Sequence, residues 1–580
     1  PGQIGQGVVV ERIERVRDRL LDQRIIAEGS GEGYWTSRDP YIRRLEQVYL
    51  EIGDNSIRAK MDKFWDSWQE LANNPADMAP REAVIQRGKT LVDGIHARFH
   101  SLRGLADMAD ADIRLTVDRV NELSRQIAGL STEIERVKAQ GDNPNDLHDR
   151  RDLLVDKLSS IIDITVDYRD PDEFLVHTGG NILVQGGIGR QFVITAADND
   201  NGYGRIMWEH DPLKGEGPYE ALELHPGKGS LSALVEMRDV TINDEIQTLD
   251  NMTMNFTDLV NEVHRAAFGL NGKTGLDFFT EHRLTTNNLG NYDRNGDGVE
   301  DSTYIFRVNG MNALEERAQI GLEGTITLSA QAAVNPGGLV TVPYYPTDTV
   351  AELVDRINNS GAEVVARLNR DGRLELKATP AAKNAQTVPA NPDFVMRHIE
   401  DSGYFLSDYA GILERGAVYD WGAADAAAVF RGGPESFATA PVTHPSGWIE
   451  INAALISDRS SVAGGFGQNG RPANPGNGEA ALAIAAIRNT PVMVGAEKTF
   501  DDYFAASTSR VGMMGEQAGR ALETENLIMK QLRDMRESLS GVNMDEELAQ
   551  MIKYQHGYSA AARFVTTLNS MFETLVTRFG

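Results

Sequence analysis

Both ends of this 580-residue chain carry long apolar stripes at steps of three and four residues, and the stretch between them changes to a period of two. The first pattern buries one face of a helix and the second one face of a strand, so no single regular element can satisfy both. Within residues 81–140, Ile95, Phe99, Leu102, Ala106, Ala109 and Ile113 make one stripe. Val120, Leu123, Ile127, Leu130, Ile134 and Val137 continue it after a small phase slip. This predicts a long helix that stops at Gly141-Asp142-Asn143-Pro144, where glycine and proline follow each other closely. A second helix is expected over about 231–268, with Ile242, Ile246, Leu249, Phe256, Val260 and Val263 on one face.

The C-terminal third has the cleanest heptads. Val511, Met514, Ala518, Ala521, Ile528, Leu532, Met535 and Leu539 alternate at three and four, with Glu525 as the one polar intruder. After Gly541 the pattern restarts. Met551, Tyr554, Tyr558, Ala561, Val565, Leu568, Phe572, Leu575 and Phe579 follow as one seam to the end of the chain. Helices at both termini, with no seam partner within themselves, predict that the two ends pack on each other.

Strand signals fill the middle. Phe174 and Val176 lead through Gly179-Gly180 into Ile182-Leu183-Val184, which reads as a hairpin. Residues 325–328 and 339–342 read as strands. Val364, Ala366 and Leu368 run into the turn Asn369-Arg370-Asp371-Gly372 and return through Leu374 and Leu376. A short helix is expected at about 349–358, and a Gly-, Ser-, Asn- and Pro-rich loop at 458–478.

These signals predict an α+β multidomain chain, with a long α-helical rod (coiled coil or bundle) built from both ends and carrying inserted β-rich domains. The expected divisions are the N-terminal rod (1–165), a small β-rich excursion (166–230) and the returning rod helix (231–285). The inserted β-rich outer domains (286–474), the C-terminal rod (475–540) and a terminal amphipathic helix (541–580) follow. A chain of this length exceeds one hydrophobic core, since domains average roughly 100–200 residues.

Composition narrows the functions. The formal net charge is −28, which repels nucleic-acid phosphates and anionic membrane alike. Cysteine is absent, which excludes disulfides, thiolate metal sites and cysteine nucleophiles. No apolar run of about 20 residues is present to span a bilayer. The opening Pro1-Gly2-Gln3-Ile4 is neither an initiator Met nor a signal peptide, and it reads as a start with sequence missing upstream.

Several motifs imitate catalytic or binding sites. Gly465-Phe466-Gly467-Gln468-Asn469-Gly470 spells G-x-G-x-x-G, but Arg471-Pro472-Ala473-Asn474-Pro475 cannot form the helix that a dinucleotide site needs next. Gly272-Lys273-Thr274 lacks the first glycine of a phosphate loop, where Ala267 stands. His96 and His100 have a metal-compatible spacing, yet Ala97 replaces the glutamate of the zinc-protease pattern. No G-x-S-x-G elbow occurs. No catalytic residue and no required cofactor are therefore expected.

One acidic loop has better ligand spacing. Asp293, Asn295, Asp297 and Asp301 surround Gly296 and Gly298, offering oxygens at alternate positions on a sharp turn, as calcium requires. Tyr304 stands where an EF-hand has its bidentate Glu, so the alternatives are a structural calcium site and an acidic surface turn. The terminal helix carries Asp545, Glu546, Glu547 and Glu573 against Lys553, Arg563 and Arg578, too acidic a face for a membrane-surface helix.

Ser540-Gly541-Val542-Asn543-Met544-Asp545-Glu546-Glu547-Leu548 resembles the signature that opens the last helix of flagellar axial proteins. Tyr554-Gln555, Tyr558, Ala560-Ala561-Ala562-Arg563 and Thr574-Leu575-Val576 extend the likeness. Residues 144–159, then Asn261, His264, Gly269, Gly272, Gly275 and Asp277-Phe278-Phe279, resemble the first hook-associated family in particular. Gly478–Ala483 and Thr499–Tyr503 do so too, and the helix at 349–358 is similar to a small motif of flagellins and cap proteins.

The resemblance implies a non-enzymatic structural subunit, exported unfolded through the flagellar type III channel and joining hook to filament. It implies partners in hook protein, the second hook–filament junction protein, an export chaperone and further copies of the same chain. A head-to-tail contact that closes makes a ring, and about eleven copies are implied. The location implied is the flagellum, extracellular or periplasmic, and Met551 to Phe579 would form the assembly interface. Rival readings are another axial protein (the second junction protein or a flagellin-like one) and a secreted adhesin on a coiled-coil stalk.

Overall fold

The computed structural model describes residues 15–579 apart from 16, 50–55, 170–172, 196–201, 210–219, 281–304, 331–337, 370, 379–394, 424–425, 434–435, 440–443, 468–470, 494–497 and 541–543. The helical body begins with α1 (Arg19–Tyr49), α2 (Ile57–Asn73), α3 (Met78–Ala139) and α4 (Asn145–Ser159). The two stripes expected after residue 81 form one 62-residue helix, α3, about 90 Å long at 1.5 Å per residue. Val117 is buried between Ile113 and Val120 and carries the stripe across the phase slip. The helix ends at Ala139 with Gln140 as its cap, and Gly141 follows at φ +90°, a conformation that suits glycine.

Strands β1 (Thr165–Arg169), β2 (Glu173–Thr178), β3 (Asn181–Gln185) and β4 (Ile188–Gly189) form an antiparallel sheet in sequence order. The expected hairpin is β2–β3. Thr178 pairs with Asn181, and Gly179 and Gly180 turn with positive φ at both centres. Next come β5 (Phe192–Ile194) and β6 (Ile206–Trp208), paired with each other. The Asn121 amide on α3 both donates to the Phe192 carbonyl and accepts from its N–H, fixing this hairpin on the long helix.

The helix expected at 231–268 is α5 (Ser230–Glu236) and α6 (Ile242–Ala266), joined by a single π turn at Met237–Thr241. The turn buries Arg238, whose guanidinium reaches Asp110 on α3 at 2.6 Å and the adjacent Asp239 at 2.7 Å.

From α6 the chain leaves the body through β7 (Phe268–Gly269) and β8 (Phe279–Thr280). The inserted domain contains β9 (Ile305–Ala313), β10 (Gly324–Ser329), β11 (Leu339–Tyr344), α7 (Val350–Asn358), β12 (Val364–Leu368), β13 (Arg373–Ala378), β14 (His398–Asp401), β15 (Tyr419–Asp420) and β16 (Phe437–Thr439). Two four-stranded sheets result, in the orders β11-β10-β14-β15 and β12-β13-β9-β16. The β12–β13 hairpin and the strands β10 and β11 are those expected, β10 and β11 pair with each other, and Thr349 caps α7 in a reciprocal capping box with Glu352. Ile326, Leu328, Leu353, Leu374, Leu376 and Phe405 are among the buried members of a separate core.

The chain returns through β17 (Glu450–Ile451), α8 (Ala453–Ser457) and β18 (Ala463–Gly465), then α9 (Glu479–Ala486), α10 (Phe500–Ser540) and α11 (Met544–Phe579). Here packing differs from the expected 286–474 insert. Ile449, Ile451, Leu455 and Val462 bury in the core of the helical body, because β17 and β18 pair back onto β8 and β7.

The two chain ends do pack together, as α10 lies along α1. The seam runs through Val511, Ala518, Met529 and Leu532, all buried, whereas Met535 and Leu539 of the expected heptad are exposed. The polar intruder has a physical place. Glu525 faces Gly31 of α1, where an added Cβ would stand 3.2 Å from the carboxylate. Burial and the nearby Glu28 and Glu32 push the Glu525 carboxyl up.

Candidate functional site

Two places concentrate the unusual chemistry: the neck where the insert leaves the helical body, and the terminal helix. Aromatic rings from four segments meet beneath the neck. Phe64, Trp65 and Trp68 of α2 pack with Phe256 of α6, with Phe278 and Phe279, and through Phe256 with Phe500 of α10. The α2 triplet was not singled out from sequence, although its three rings share one helix face.

Asn261 and His264, one turn apart on α6, hold the exit strand. The Asn261 side-chain oxygen accepts from the Phe278 and Phe279 N–H groups at 2.9 Å, and its amide donates to the Phe279 carbonyl at 2.9 Å. His264 bridges exit and return. Its Nε2 accepts from the Ala463 N–H at 2.9 Å, so Nδ1 carries the proton and donates to the Leu276 carbonyl at 2.6 Å. Arg265 pairs with Asp277 at 2.9 Å. Asn452 of the return donates to the Asp277 carbonyl at 2.8 Å, and Asn271 donates to Ser461 at 2.7 Å. The spaced motif Asn261, His264, Asp277-Phe278-Phe279 is thus a clamp on backbone groups.

Burial holds the His264 imidazole neutral, lowering its pKa to about 4 against the weaker pull of the Leu276 carbonyl. The unfolded chain binds a proton near pH 6.5 that the folded neck refuses until about pH 4. The clamp's contribution is therefore complete above pH 6.5 and is lost as pH falls towards 4, by on the order of 3 kcal/mol. Urea unfolding between pH 7 and 4 is expected to show this loss, and His264→Gln should flatten the slope over that interval.

A buried carboxylate secures the return. Asp250 on α6 accepts from the Ser446 N–H at 3.0 Å, from the Ser446 hydroxyl and from His444 Nδ1 at 2.7 Å. Serine, histidine and aspartate meet here, but the hydroxyl donates to the carboxylate and not to the imidazole, so the serine has no general base. At the body's other joint, Glu245 of α6 is fully buried among Tyr49, Ser507 and Arg510, tying α6 to α1 and α10. Burial and the Glu245 charge push the Tyr49 phenol up, keeping it a neutral donor.

The expected assembly residues stand on α11. Every described side chain there, from 548 to 578, is exposed, including Met551, Tyr554, Tyr558, Ala561, Val565, Leu568, Phe572 and Leu575. Leu568 is 37% exposed and Tyr558 79%. Phe579 ends the helix, and its side chain is outside the described residues. The calcium quartet Asp293, Asn295, Asp297 and Asp301 also lies outside them. Among the described residues no three His, Asp or Glu side chains gather as metal ligands, and His96 and His100 are two residues of α3. No described helix is long and apolar enough to cross a membrane.

Sequence reasoning missed Asp250, Asp258 and Glu262 because α6 was read by its apolar face alone. Polar residues at 250, 251, 255, 258 and 261 are buried on the side of α6 opposite its apolar face, so the helix is covered on both sides, which the sequence of an amphipathic helix does not announce.

Comparison with known proteins agrees with this architecture. Residues 42–279 match the flagellar hook-associated protein FlgK helical domain, 325–380 the flagellin hook IN motif, and 536–578 the C-terminal domain of the flagellar basal body rod FlgEFG proteins. Flagellar hook-associated protein 1 of Escherichia coli K12 is 24% identical over 99% of this chain and 90% of its own length. That of Bacillus subtilis is 30% identical over 48% of this chain and 59% of its own. The flagellar hook junction protein FlgK from Burkholderia pseudomallei shares the fold, with a TM-score of 0.55 at 16% identity over 89% of this chain and all of its own. With the helical body, the inserted motif and the terminal helix each matched in their places, the chain is similar along nearly its whole length to flagellar hook-associated protein 1.

Proposed function

We propose that this chain is a structural subunit of the bacterial flagellum that joins hook to filament, and that α11 is the element by which it assembles. One observation carries the reading: a 36-residue helix with an apolar seam that the other described residues leave uncovered. Exposed apolar surface of that extent marks a binding surface, and the acidic rim of α11 favours protein over membrane. The partners are hook protein on one side, the second junction protein on the other and further copies around a ring of about eleven. An export chaperone covers the seam beforehand. The location is the flagellum, and the role needs no catalysis.

Limited proteolysis tests the assembly reading. In the dilute subunit, cleavage within the last 30 or so residues is expected at low protease, since a lone helix is only marginally stable in water. Gly557, Thr566 and Thr567 weaken it further. Assembled flagella should protect the same bonds. A tail equally resistant in the dilute subunit would make α11 an intramolecular core helix.

The loop at 293–301 is proposed, from its ligand spacing alone, to hold a structural calcium. If so, a chelator lowers the melting temperature of the whole chain, and Asp297→Ala removes that sensitivity. Identical melts with and without calcium leave an acidic turn.

A further inference from the structure

Helix α6 faces the inserted domain with one stripe that the neck does not use. Met254, Asp258 and Glu262 are spaced by four residues and so lie above one another on the helix. Met254 packs against the core of the insert. Asp258, buried, accepts from Arg307 Nε of β9 at 3.1 Å and lies 2.7 Å from Lys377 Nζ of β13. Glu262 pairs with Arg367 of β12, which also holds the buried Glu375 of β13 at 2.8 Å. Two carboxylates on α6 thus meet three cations and one carboxylate on the insert, and the six charges cancel.

From these contacts we infer that the 254–262 stripe of α6 is an electrostatic joint that sets the orientation of the inserted domain on the helical body. The neck strands β7, β8, β17 and β18 are short and bind each other and the helical body. They place the insert near α6 without dictating its angle. Sliding the insert by one helical turn would match one α6 carboxylate to the other's cations and leave the remaining charges without partners, and a buried charge without its partner is strongly unfavourable. Only the observed orientation pairs all six. Burial alone would raise the Asp258 carboxyl, yet Arg307 and Lys377 outweigh it and hold it well below the usual carboxylate range. Asp258 therefore stays charged throughout neutral and mildly acidic conditions, because a depressed carboxyl gives up its stabilisation only as pH falls through its folded value, whereas burial and the neighbouring Glu375 push the Glu262 carboxyl up.

The cysteine-free sequence makes the test direct. Ser101 on α3 and Asp355 on α7 are exposed, and Ser101→Cys with Asp355→Cys takes two spin labels in the full chain. Pulsed electron–electron spectroscopy is expected to give one narrow distance distribution in the parent. Asp258→Asn, or the milder Glu262→Gln at the partly exposed edge of the joint, should broaden it at least twofold while far-ultraviolet circular dichroism is unchanged. A parent distribution already as broad as the variants overturns the inference. So does an unchanged narrow distribution in Glu262→Gln and in folded Asp258→Asn, because the neck strands alone would then fix the angle.

Discussion

Replacing Leu568 by Glu is expected to abolish filament growth while leaving the unfolding of the dilute subunit within about 0.5 kcal/mol of the parent, as for any substitution at an uncovered surface position. The asymmetry follows from the exposure of α11. In the single chain the new carboxylate replaces a leucine that water already reaches. In an assembled seam each large apolar side chain contributes roughly 1.5–3 kcal/mol, and a charge in its place costs several kcal/mol more unless neutralised. The penalty recurs at every copy of the subunit. Electron microscopy of cells carrying only the variant should show hooks without filaments, with flagellin lost to the medium. Normal filaments on such cells would remove α11 from the assembly interface.

Asn261→Ala is expected to produce the largest loss of stability from one small change, about 3–5 kcal/mol. Three buried backbone groups lose their partner at once, and leaving each unsatisfied costs about 1–3 kcal/mol. The side chain is fully buried and its bonds run to Phe278 and Phe279, whose rings complete the aromatic cluster under the neck. Loss of the clamp should therefore loosen the helical body as well as the exit strand. Calorimetry checks this directly. A melting temperature within 2 °C of the parent would mean that the neck is held by its strand pairs alone.

The sequence displayed those elements whose partners are near in the chain or whose stripe is long. The β12–β13 hairpin was legible because the Asn369–Gly372 turn fixes its register. The long helix α3 was legible because its stripe runs for many turns despite one phase slip, and its stop because glycine and proline forbid continuation. Strands β1, β4 and β14 gave no comparable signal, since each is short and exists only by pairing with a neighbour. On α10 the register of the seam was misjudged towards its end. Heptad spacing drifts around a straight helix, and contact with α1 selected Met529 and Leu532 while leaving Met535 and Leu539 outside.

The neck shows the same division more sharply. Asn261, His264 and Asp277-Phe278-Phe279 were visible as a spaced motif, but their task was not, because a side chain that bonds to backbone leaves no complementary residue type to search for. Asp258, Arg307 and Lys377 are separated by up to 119 positions (258 to 377), and each looks alone like an ordinary surface charge. By itself the sequence determined the helical ends, the β-rich middle, the absence of thiol chemistry and the apolar seam of α11, all of which depend on local periodicity and composition. Only the tertiary structure decided where the insert ends and which charges are buried together. Pairing across long loops is set by burial, and a charge becomes structural only when folding takes it out of water beside its partner.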